Sequence, residues 1–331
     1  MITREDLEQR EFAVLSACAT KAAESRGRVL PEEQCSIRTD FQRDRDRIIH
    51  SKAFRRLMHK TQVFISPEGD HFRTRLTHTI EVSQIARTIA RGAGLNEDLA
   101  EAIAMGHDLG HTPFGHSGEA VLNEIYSGGF HHNEQSLRVV DVLESGSSSR
   151  RGMNLTYEVR DGILCHTGNV LPVTPEGQVV RVSDRIAYIN HDIDDALRSG
   201  IITTEDLPKE CIRVLGDTHK KRIDTLVRDM IENSFEKPQA KLSEEKTQAM
   251  NELRSYMFQN VYLNKNVKKA EDLSKVRTII TVLFTYFSEH PDQLPAELAA
   301  MRGEFPDEEL AKDHVAGMTD RYAVSLYEKL F

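Results

Sequence analysis

The chain has 331 residues, of which 39% are hydrophobic and 29% are charged, and its formal net charge is −9. An acidic chain is a poor general binder of nucleic acid, because phosphate contacts need a positive surface, so nucleic acid is not expected as the main partner. No apolar run approaches the roughly 20 residues of a membrane span, and the start, MITREDLEQR, has no apolar signal segment. Four scattered cysteines suit a reducing compartment, and we expect a cytoplasmic protein without a membrane partner.

The first third of the chain has the composition and periodicity of amphipathic helices. Residues 5–25 and 42–60 are each expected to form one helix. Residues 75–91 place apolar side chains on one face, and Gly92 and Gly94 are expected to end that helix.

The next helix carries recognisable start and stop signals. Asn96 is a suitable N-cap, and acidic residues follow it in the first turn. The apolar pattern then continues to His107. Pro113 prevents any continuation, and a new helix is expected to begin near Ser117.

The second half is also predicted to be mainly helical. Residues 145–152 are expected to form a loop, and residues 166–182, with two prolines and two glycines, a loop or a small hairpin. A long helix is predicted over 182–199, and the remainder to residue 331 is charged and mostly helical.

No alternating pattern is long enough to build a sheet, so the predicted fold class is all-α. We expect N-terminal helices over 1–60, a catalytic core over 61–200 and a C-terminal helical region over 201–331 that completes the site.

A histidine-rich segment, GHDLGHTPFGHSGE at 106–119, has the features of a metal site. His107 and Asp108 end an apolar helix shortly before glycines, which leaves room for an ion and an anionic substrate. Imidazole nitrogen and carboxylate oxygen are good ligands for divalent Mn, Fe, Ni, Co or Mg. His78, on the preceding helix, is the candidate third ligand.

The segment VSDRIAYINHDIDDA, at 182–196, supplies the candidate fourth ligand, Asp184. At about 100° per residue, one helix face carries Asp184, Tyr188, His191, Asp192 and Asp195. Three acids on one face repel one another unless a cation lies nearby, so this face favours a metal site. His191-Asp192 is a second His-Asp pair, but it lacks the apolar lead-in and the glycine exit, so His107-Asp108 is the predicted ligand pair.

The order His78, His107-Asp108, Asp184 resembles the HD superfamily of phosphohydrolases. The surrounding segments narrow this to the deoxynucleoside triphosphate triphosphohydrolase (dGTPase-like) family; they are FRRLMHKTQVF, GDHFRTRLTHTIEVSQIARTIAR, GHDLGHTPFGHSGE, FHHNEQSLRVV, GILCHTG and SDRIAYINHDIDDAL. The resemblance covers residues 38–200 closely and continues more faintly to about 265. It implies an all-helical HD-domain fold with additional C-terminal helices, one divalent ion per site and release of intact triphosphate from a deoxynucleoside triphosphate.

The resemblance also implies roles for individual residues. His116 and Glu119 match the catalytic histidine and acid, with Glu119 orienting His116. Tyr188 matches a tyrosine under the deoxyribose, which would exclude a ribose hydroxyl at C2′. The complete set of implied substrate contacts is Gln62, Arg75, His111, His132, Arg185, Tyr188, Asp192, Arg254 and Tyr262. The base-reading region does not carry over, so no base preference follows.

Relatives of this kind form symmetric assemblies, some with dNTP-binding activator sites between subunits, so the resemblance implies a homo-oligomer and a candidate dNTP activator site between subunits. Two other functions share parts of the pattern. An HD-type phosphomonoesterase or phosphodiesterase would share the four metal ligands without needing His116, Glu119 or Tyr188. A non-catalytic nucleotide sensor would keep the fold, but the presence of His116 and Glu119 favours an enzyme.

Overall fold

The computed structural model describes residues 1–61, 73–147, 150–262 and 270–331, and it confirms the all-α class. The helices are α1 (Arg4–Val14), α2 (Asp40–Ile49), α3 (Lys52–Arg56), α4 (Arg75–Gly92), α5 (Glu97–Gly106), α6 (Gly115–Ile125), α7 (His132–Arg138), α8 (Tyr157–Cys165), α9 (Pro175–Arg198), α10 (Lys209–Leu215), α11 (His219–Ser234), α12 (Glu244–Met257), α13 (Ala270–Glu289), α14 (Ala296–Ala299), α15 (Asp307–Ala316) and α16 (Asp320–Leu330). A short antiparallel hairpin joins β1 (Ser145–Ser147) to β2 (Arg150–Arg151). In these described ranges, no helix is both long and apolar enough to cross a membrane.

The chain divides into two compact units. The first contains residues 1–49, 78–107 and 154–267, and the second contains 50–77, 108–153 and 268–331, each within its described part. The division at residues 60 and 200 that the sequence suggested remains a prediction.

In the first unit α5 is the central helix, and it packs against α2, α8 and α9. Its residues from Leu99 to Gly106 are buried except Glu101, as expected for a helix that is apolar on nearly all sides. Helix α9 also packs against α11 and α12. The long polar-faced helix that carries Asp184 is therefore held against the core of this unit on several sides.

Two glycines allow α5 and α8 to approach closely. A Cβ on Gly162 of α8 would come within 2.5 Å of the Ile103 side chain, and a Cβ on Gly106 of α5 would come within 2.5 Å of the Ile163 side chain. Any larger residue would push the helices apart, so the contact brings together the carboxyl ends of α5 and α8.

In the second unit α13 is the organising helix, and it packs against α6, α15 and α16. The core between these helices includes Leu122, Ile280, Leu283, Leu310 and Val315, all fully buried. Helix α6, which contains the predicted catalytic residues His116 and Glu119, is thus fixed by the C-terminal helices of its own unit.

The helix starting after Asn96 is confirmed. The Asn96 side chain accepts hydrogen bonds from the backbone N–H groups of Asp98 and Leu99, as an N-cap does. The helix predicted over 5–25 is too long, because α1 ends at Val14. Beyond it, the Ser16 N–H bonds the Gly94 carbonyl oxygen at 2.8 Å, a long-range contact that draws the chain out of the helix.

Three other predicted boundaries are wrong. The single helix over 42–60 is broken, because the Ser51 side chain caps a new helix at the N–H of Phe54. The long helix begins at Pro175 rather than at 182, since Thr174 caps it and proline suits the first helical position. The loop over 145–152 contains the short β1–β2 hairpin.

Candidate active site

Three of the predicted metal ligands meet in the first unit. His78 Nε2 lies 3.0 Å from Asp184 Oδ1, and His107 Nε2 lies 3.8 Å from the same oxygen. Both histidines are almost completely buried. A cation about 2.0–2.2 Å from each ligand spans ligand separations up to about 4.2 Å, so these atoms fit a divalent ion.

The orientation of His107 is set by the helix that precedes it. Its Nδ1 donates a hydrogen bond to the Ala104 carbonyl oxygen at 2.7 Å. In the neutral ring the lone pair is then on Nε2, the atom nearest Asp184. Metal-binding histidines commonly donate a hydrogen bond from the ring nitrogen that does not bind the metal, and this bond fixes the tautomer. Two acceptors that face each other in this way are stabilised when a cation lies between them.

His166 repeats this arrangement at the end of α8. Its Nδ1 donates to the Ile163 carbonyl oxygen at 2.7 Å, and its ring lies edge-on to His107 with centroids 5.1 Å apart. The sequence predicted no role for His166, which occurs there only within the segment GILCHTG. The paired glycines of α5 and α8 were the signal for this neighbour, since they bring the two helix ends together.

The charge of Asp184 is strongly favoured. Burial alone would raise the pKa of this carboxyl, but the His78 hydrogen bond and the nearby His107 and His166 imidazoles lower it overall, well below its usual range. The anionic carboxylate is the form of this ligand that a divalent cation requires.

The polar face predicted for α9 is real and mostly buried. Asp192 and Asp195 are less than a tenth exposed, and burial raises the pKa of Tyr188 to about 12, so its phenol stays neutral. His191 lies on the same face, and its Nε2 is 3.1 Å from Oε2 of Glu81. Glu81, one helical turn after His78, is a contact that the sequence analysis missed.

In the second unit Asp108 pairs with a buried arginine. Arg75 Nη1 donates to Asp108 Oδ2 at 2.6 Å, and both side chains are almost completely buried. Within the described residues, Nε and Nη2 of Arg75 have no hydrogen-bond partner. Buried guanidinium N–H groups are costly to leave unsatisfied, so these two donors suit an anionic ligand.

Four predicted residues form a cluster around one carboxylate in the second unit. Glu119 Oε2 is 2.9 Å from His116 Nδ1, and Oε1 is 2.8 Å from His132 Nδ1. The His132 backbone N–H also donates to Oε1, at 2.9 Å. His111 stacks on His132 with centroids 4.6 Å apart. The possible ligand atoms of this set lie within 4.8 Å of one another, so it has the make-up of a metal site as well as that of a proton-transfer network.

The residues of this cluster favour different protonation states, because their pKa values are shifted in different directions. Burial would raise the pKa of Glu119, but hydrogen bonds from His116 and His132 lower it well below its usual range. Burial would lower the pKa of His132, but Glu119 raises it overall. For His111, burial, Arg75 and His132 lower the pKa well below its usual range. The cluster therefore combines an anionic carboxylate, a histidine that favours its charged form and one that stays neutral.

The remaining predicted contacts are less defined. Arg185 is half-buried on α9, and Arg254 is an exposed residue of α12 whose charge acts on Tyr188. Tyr262 ends a π-helical turn, Phe258–Tyr262, but its side chain lies outside the described part of the chain. Gln62 also lies outside the described residues. The structure thus places Arg185 and Arg254 without giving either a substrate-binding contact.

Comparisons with known proteins give the family of the chain. Residues 75–189 match the HD domain, and residues 240–329 match the phosphohydrolase-associated domain. A deoxyguanosinetriphosphate triphosphohydrolase-like protein of Caldanaerobacter subterraneus subsp. tengcongensis is 58% identical, covering 100% of this chain and 96% of that protein. The chain belongs to this dGTPase-like HD-domain family. Proteins of the same name from Desulfatibacillum aliphaticivorans and Clostridium tetani are 48% and 45% identical, covering 100% of this chain and 98% and 97% of those proteins.

Membership of the dGTPase-like family makes the chain a hydrolase of the HD type. HD domains bind divalent metal ions, and His78, His107 and Asp184 are chemically suited to hold one. The match over 240–329 also gives the C-terminal helices α13, α15 and α16 a family context, since they lie in the phosphohydrolase-associated domain.

Proposed function

We propose that the chain hydrolyses deoxynucleoside triphosphates to deoxynucleosides and intact triphosphate, with one divalent ion, Mn, Mg, Co, Ni or Fe, per site. The names of the dGTPase-like relatives support a nucleoside triphosphate as substrate. The observation that carries the proposal is the Glu119 carboxylate held between His116 and His132. A phosphomonoesterase with only the four metal ligands would not need this network.

His78, His107, Asp108 and Asp184 are the proposed metal ligands. Asp108 directly follows His107 in the chain, and His78 and His107 converge on one carboxylate oxygen of Asp184. A divalent ion bound there supplies Lewis-acid activation of the α-phosphate and a lower pKa for bound water. The anionic carboxylate of Asp184 and the fixed orientation of the His107 ring suit such an ion.

His116 is the proposed proton donor. Glu119 holds its Nδ1, and its side chain is 68% exposed, so Nε2 is accessible to a substrate. As water attacks the α-phosphorus, the bond from phosphorus to the 5′ oxygen breaks, and that oxygen takes a proton to become a hydroxyl. An imidazole positioned by a carboxylate is suited to this transfer near neutral pH.

Arg75 and His111 are proposed to bind the triphosphate, together with His132 and Arg185. The support is the pair of donors on Arg75 that no described residue satisfies. Burial strengthens such charge-assisted hydrogen bonds, because little water competes for the guanidinium.

Tyr188 and Asp192 are proposed to contact the deoxyribose, with Gln62, Arg254 and Tyr262 completing the substrate contacts. Tyr188 and Asp192 occupy the same face of α9 as Asp184, one and two turns further along. A neutral phenol ring packed below C2′ would leave no space for a ribose hydroxyl at that carbon. Such packing would favour deoxynucleotides.

The test is product analysis in ¹⁸O-labelled water. The protein is incubated with each dNTP and Mn²⁺, Mg²⁺ or Co²⁺, and the products are separated by ion exchange. We expect deoxynucleoside together with triphosphate that carries one ¹⁸O atom. Release of dNDP and phosphate, or activity on monophosphates alone, would contradict the proposal.

We also propose that the protein is cytoplasmic and acts as a homo-oligomer, with a dNTP activator bound between subunits. Mass photometry with and without dNTPs measures the assembly. A monomer at all nucleotide concentrations would contradict this part of the proposal and leave the assignment of the reaction unaffected.

A further inference from the structure

Asp320, the first residue of α16, joins two distant segments of the second unit. Its Oδ1 accepts a hydrogen bond from the Phe114 N–H at 3.0 Å. Its Oδ2 accepts one from the Thr61 N–H, also at 3.0 Å, and another from the Thr61 hydroxyl. The side-chain carboxylate of Asp320 thus holds two backbone segments that lie more than 200 residues earlier in the chain.

Phe114 needs such a contact, because its backbone is in the left-handed region with φ 62° and ψ 22°. Residues other than glycine avoid that conformation. Phe114 occupies the N-cap position of α6, and its side chain makes no cap hydrogen bond. The bond from its N–H to Asp320 therefore stabilises a strained turn that an apolar residue cannot stabilise by itself.

That turn sets where the proposed catalytic residues lie. His116 is two residues beyond Phe114, and Glu119 is five residues beyond it, in the first turns of α6. The turn is tight, since a Cβ on Gly118 would come within 2.1 Å of the Pro113 carbonyl oxygen. Any relaxation of Phe114 would therefore move the start of α6, and His116 and Glu119 with it.

The contact between Asp320 and Thr61 is linked to the residues proposed to bind the triphosphate through Lys60, which precedes Thr61 in the chain. The buried Nζ of Lys60 donates to the His111 carbonyl oxygen and, at 2.9 Å, to that of Ala316. The Arg75 N–H donates to the Lys60 carbonyl oxygen at 3.2 Å. Lys60 thus connects the backbone of Arg75 and His111 to the α15–α16 junction, where Ala316 and Asp320 lie.

We propose that Asp320 is a positioning residue for catalysis, which fixes the Phe114 turn and the Thr61 segment so that His116, Glu119 and Arg75 are correctly placed. The inference rests on the proposed function for the roles of those three residues. It gives the phosphohydrolase-associated domain, which contains Asp320, a specific task in the site.

The test compares Asp320→Ala with Thr319→Ala in the full-length, Mn²⁺-loaded protein. Thr319 caps the same helix by accepting the Tyr322 N–H, so its loss weakens α16 without touching Thr61 or Phe114. Hydrogen exchange is measured on peptides covering residues 110–120, and kcat and KM are measured with a dNTP. Should Asp320→Ala not fold, Asp320→Asn takes its place, because it keeps the shape and one acceptor oxygen.

We expect Asp320→Ala to lower kcat about tenfold to a hundredfold, since displacements of about 1 Å cost that much, and to speed exchange over 110–120. Asp320→Asn should fall between Asp320→Ala and the wild type, and Thr319→Ala should stay within about twofold of wild-type kcat. The inference is overturned if Asp320→Ala keeps wild-type kcat or if Thr319→Ala loses as much. A wild type without dNTP hydrolysis contradicts the proposed function instead. The exchange data then decide this inference, because unchanged exchange over 110–120 overturns it and faster exchange in Asp320→Ala alone supports it.

Discussion

His78 and His107 converge on one oxygen of Asp184, with Nε2 atoms 3.0 and 3.8 Å from Oδ1. These residues come from α4, from the end of α5 and from α9, so three segments distant in sequence build this part of the site. The depressed pKa of Asp184 keeps the oxygen anionic at neutral pH. This convergence leads to the first prediction.

Replacing Asp184 with Asn should abolish metal binding. The amide keeps the size of the side chain but loses the charge that a divalent cation needs. After equilibrium dialysis against Mn²⁺, elemental analysis should find about one ion per chain in the wild type and less than about a tenth of that in Asp184→Asn. Asp194→Asn is the matched control, because Asp194 is on the same helix but pairs with Arg198 at the surface. Equal Mn²⁺ content in Asp184→Asn and wild type would show that the ligand assignment is wrong.

Replacing His116 with Ala should remove turnover and leave the metal in place. Loss of a positioned general acid costs about 10²- to 10⁴-fold in rate. Single-turnover assays with a dNTP measure the rate, and Mn²⁺ content is measured on the same samples. His131→Ala is the control, since His131 is an exposed histidine of the same unit. If the His116→Ala variant retains turnover, His116 is not the proton donor and another histidine is the candidate.

The residues that meet at Asp184 could be predicted because their signals are local. His107-Asp108 follows an apolar helix and precedes glycines, and the face of α9 repeats at helical spacing. The contacts of Lys60 and Asp320 could not be predicted in this way, since their partners are 51 and more than 200 residues away in the chain. The end of α1 was missed for the same reason, because a contact from Ser16 to Gly94 overrides helix propensity.

Replacing Tyr188 with Ala should weaken discrimination against ribonucleotides. If the ring fills the space beside C2′, its removal should admit a ribose hydroxyl and reduce the ratio of kcat/KM for dNTP over NTP about tenfold or more. Tyr188→Phe keeps the ring and removes the hydroxyl, so it should retain the wild-type ratio. The measurement is steady-state kinetics with matched dNTP and NTP pairs. A loss of discrimination in Tyr188→Phe would instead assign the selection to the phenol hydroxyl.

The Glu119–His132 pair should make stability depend on pH in a specific direction. The folded pKa of Glu119 is lowered, so its contribution is present above its unfolded value, about 4.3, and is lost as pH falls through the folded value. The folded pKa of His132 is raised, so its contribution is complete below about 6.5 and is lost as pH rises through the folded value. The pair should therefore stabilise the fold most between about pH 4.5 and 6.5.

Thermal unfolding of wild type and Glu119→Gln in EDTA tests this dependence, because EDTA removes any contribution from bound metal. The gap in Tm should be largest near about pH 5.5 and should narrow as pH rises through the raised folded pKa of His132 and that residue loses its proton. Glu124→Gln is the matched control on α6, since Glu124 pairs at the surface with Arg277, which stays charged throughout. Its gap should be small and constant. A gap for Glu119→Gln that does not change with pH would mean that His132 is neutral beside Glu119, and that the charge polarisation inferred for the cluster is wrong.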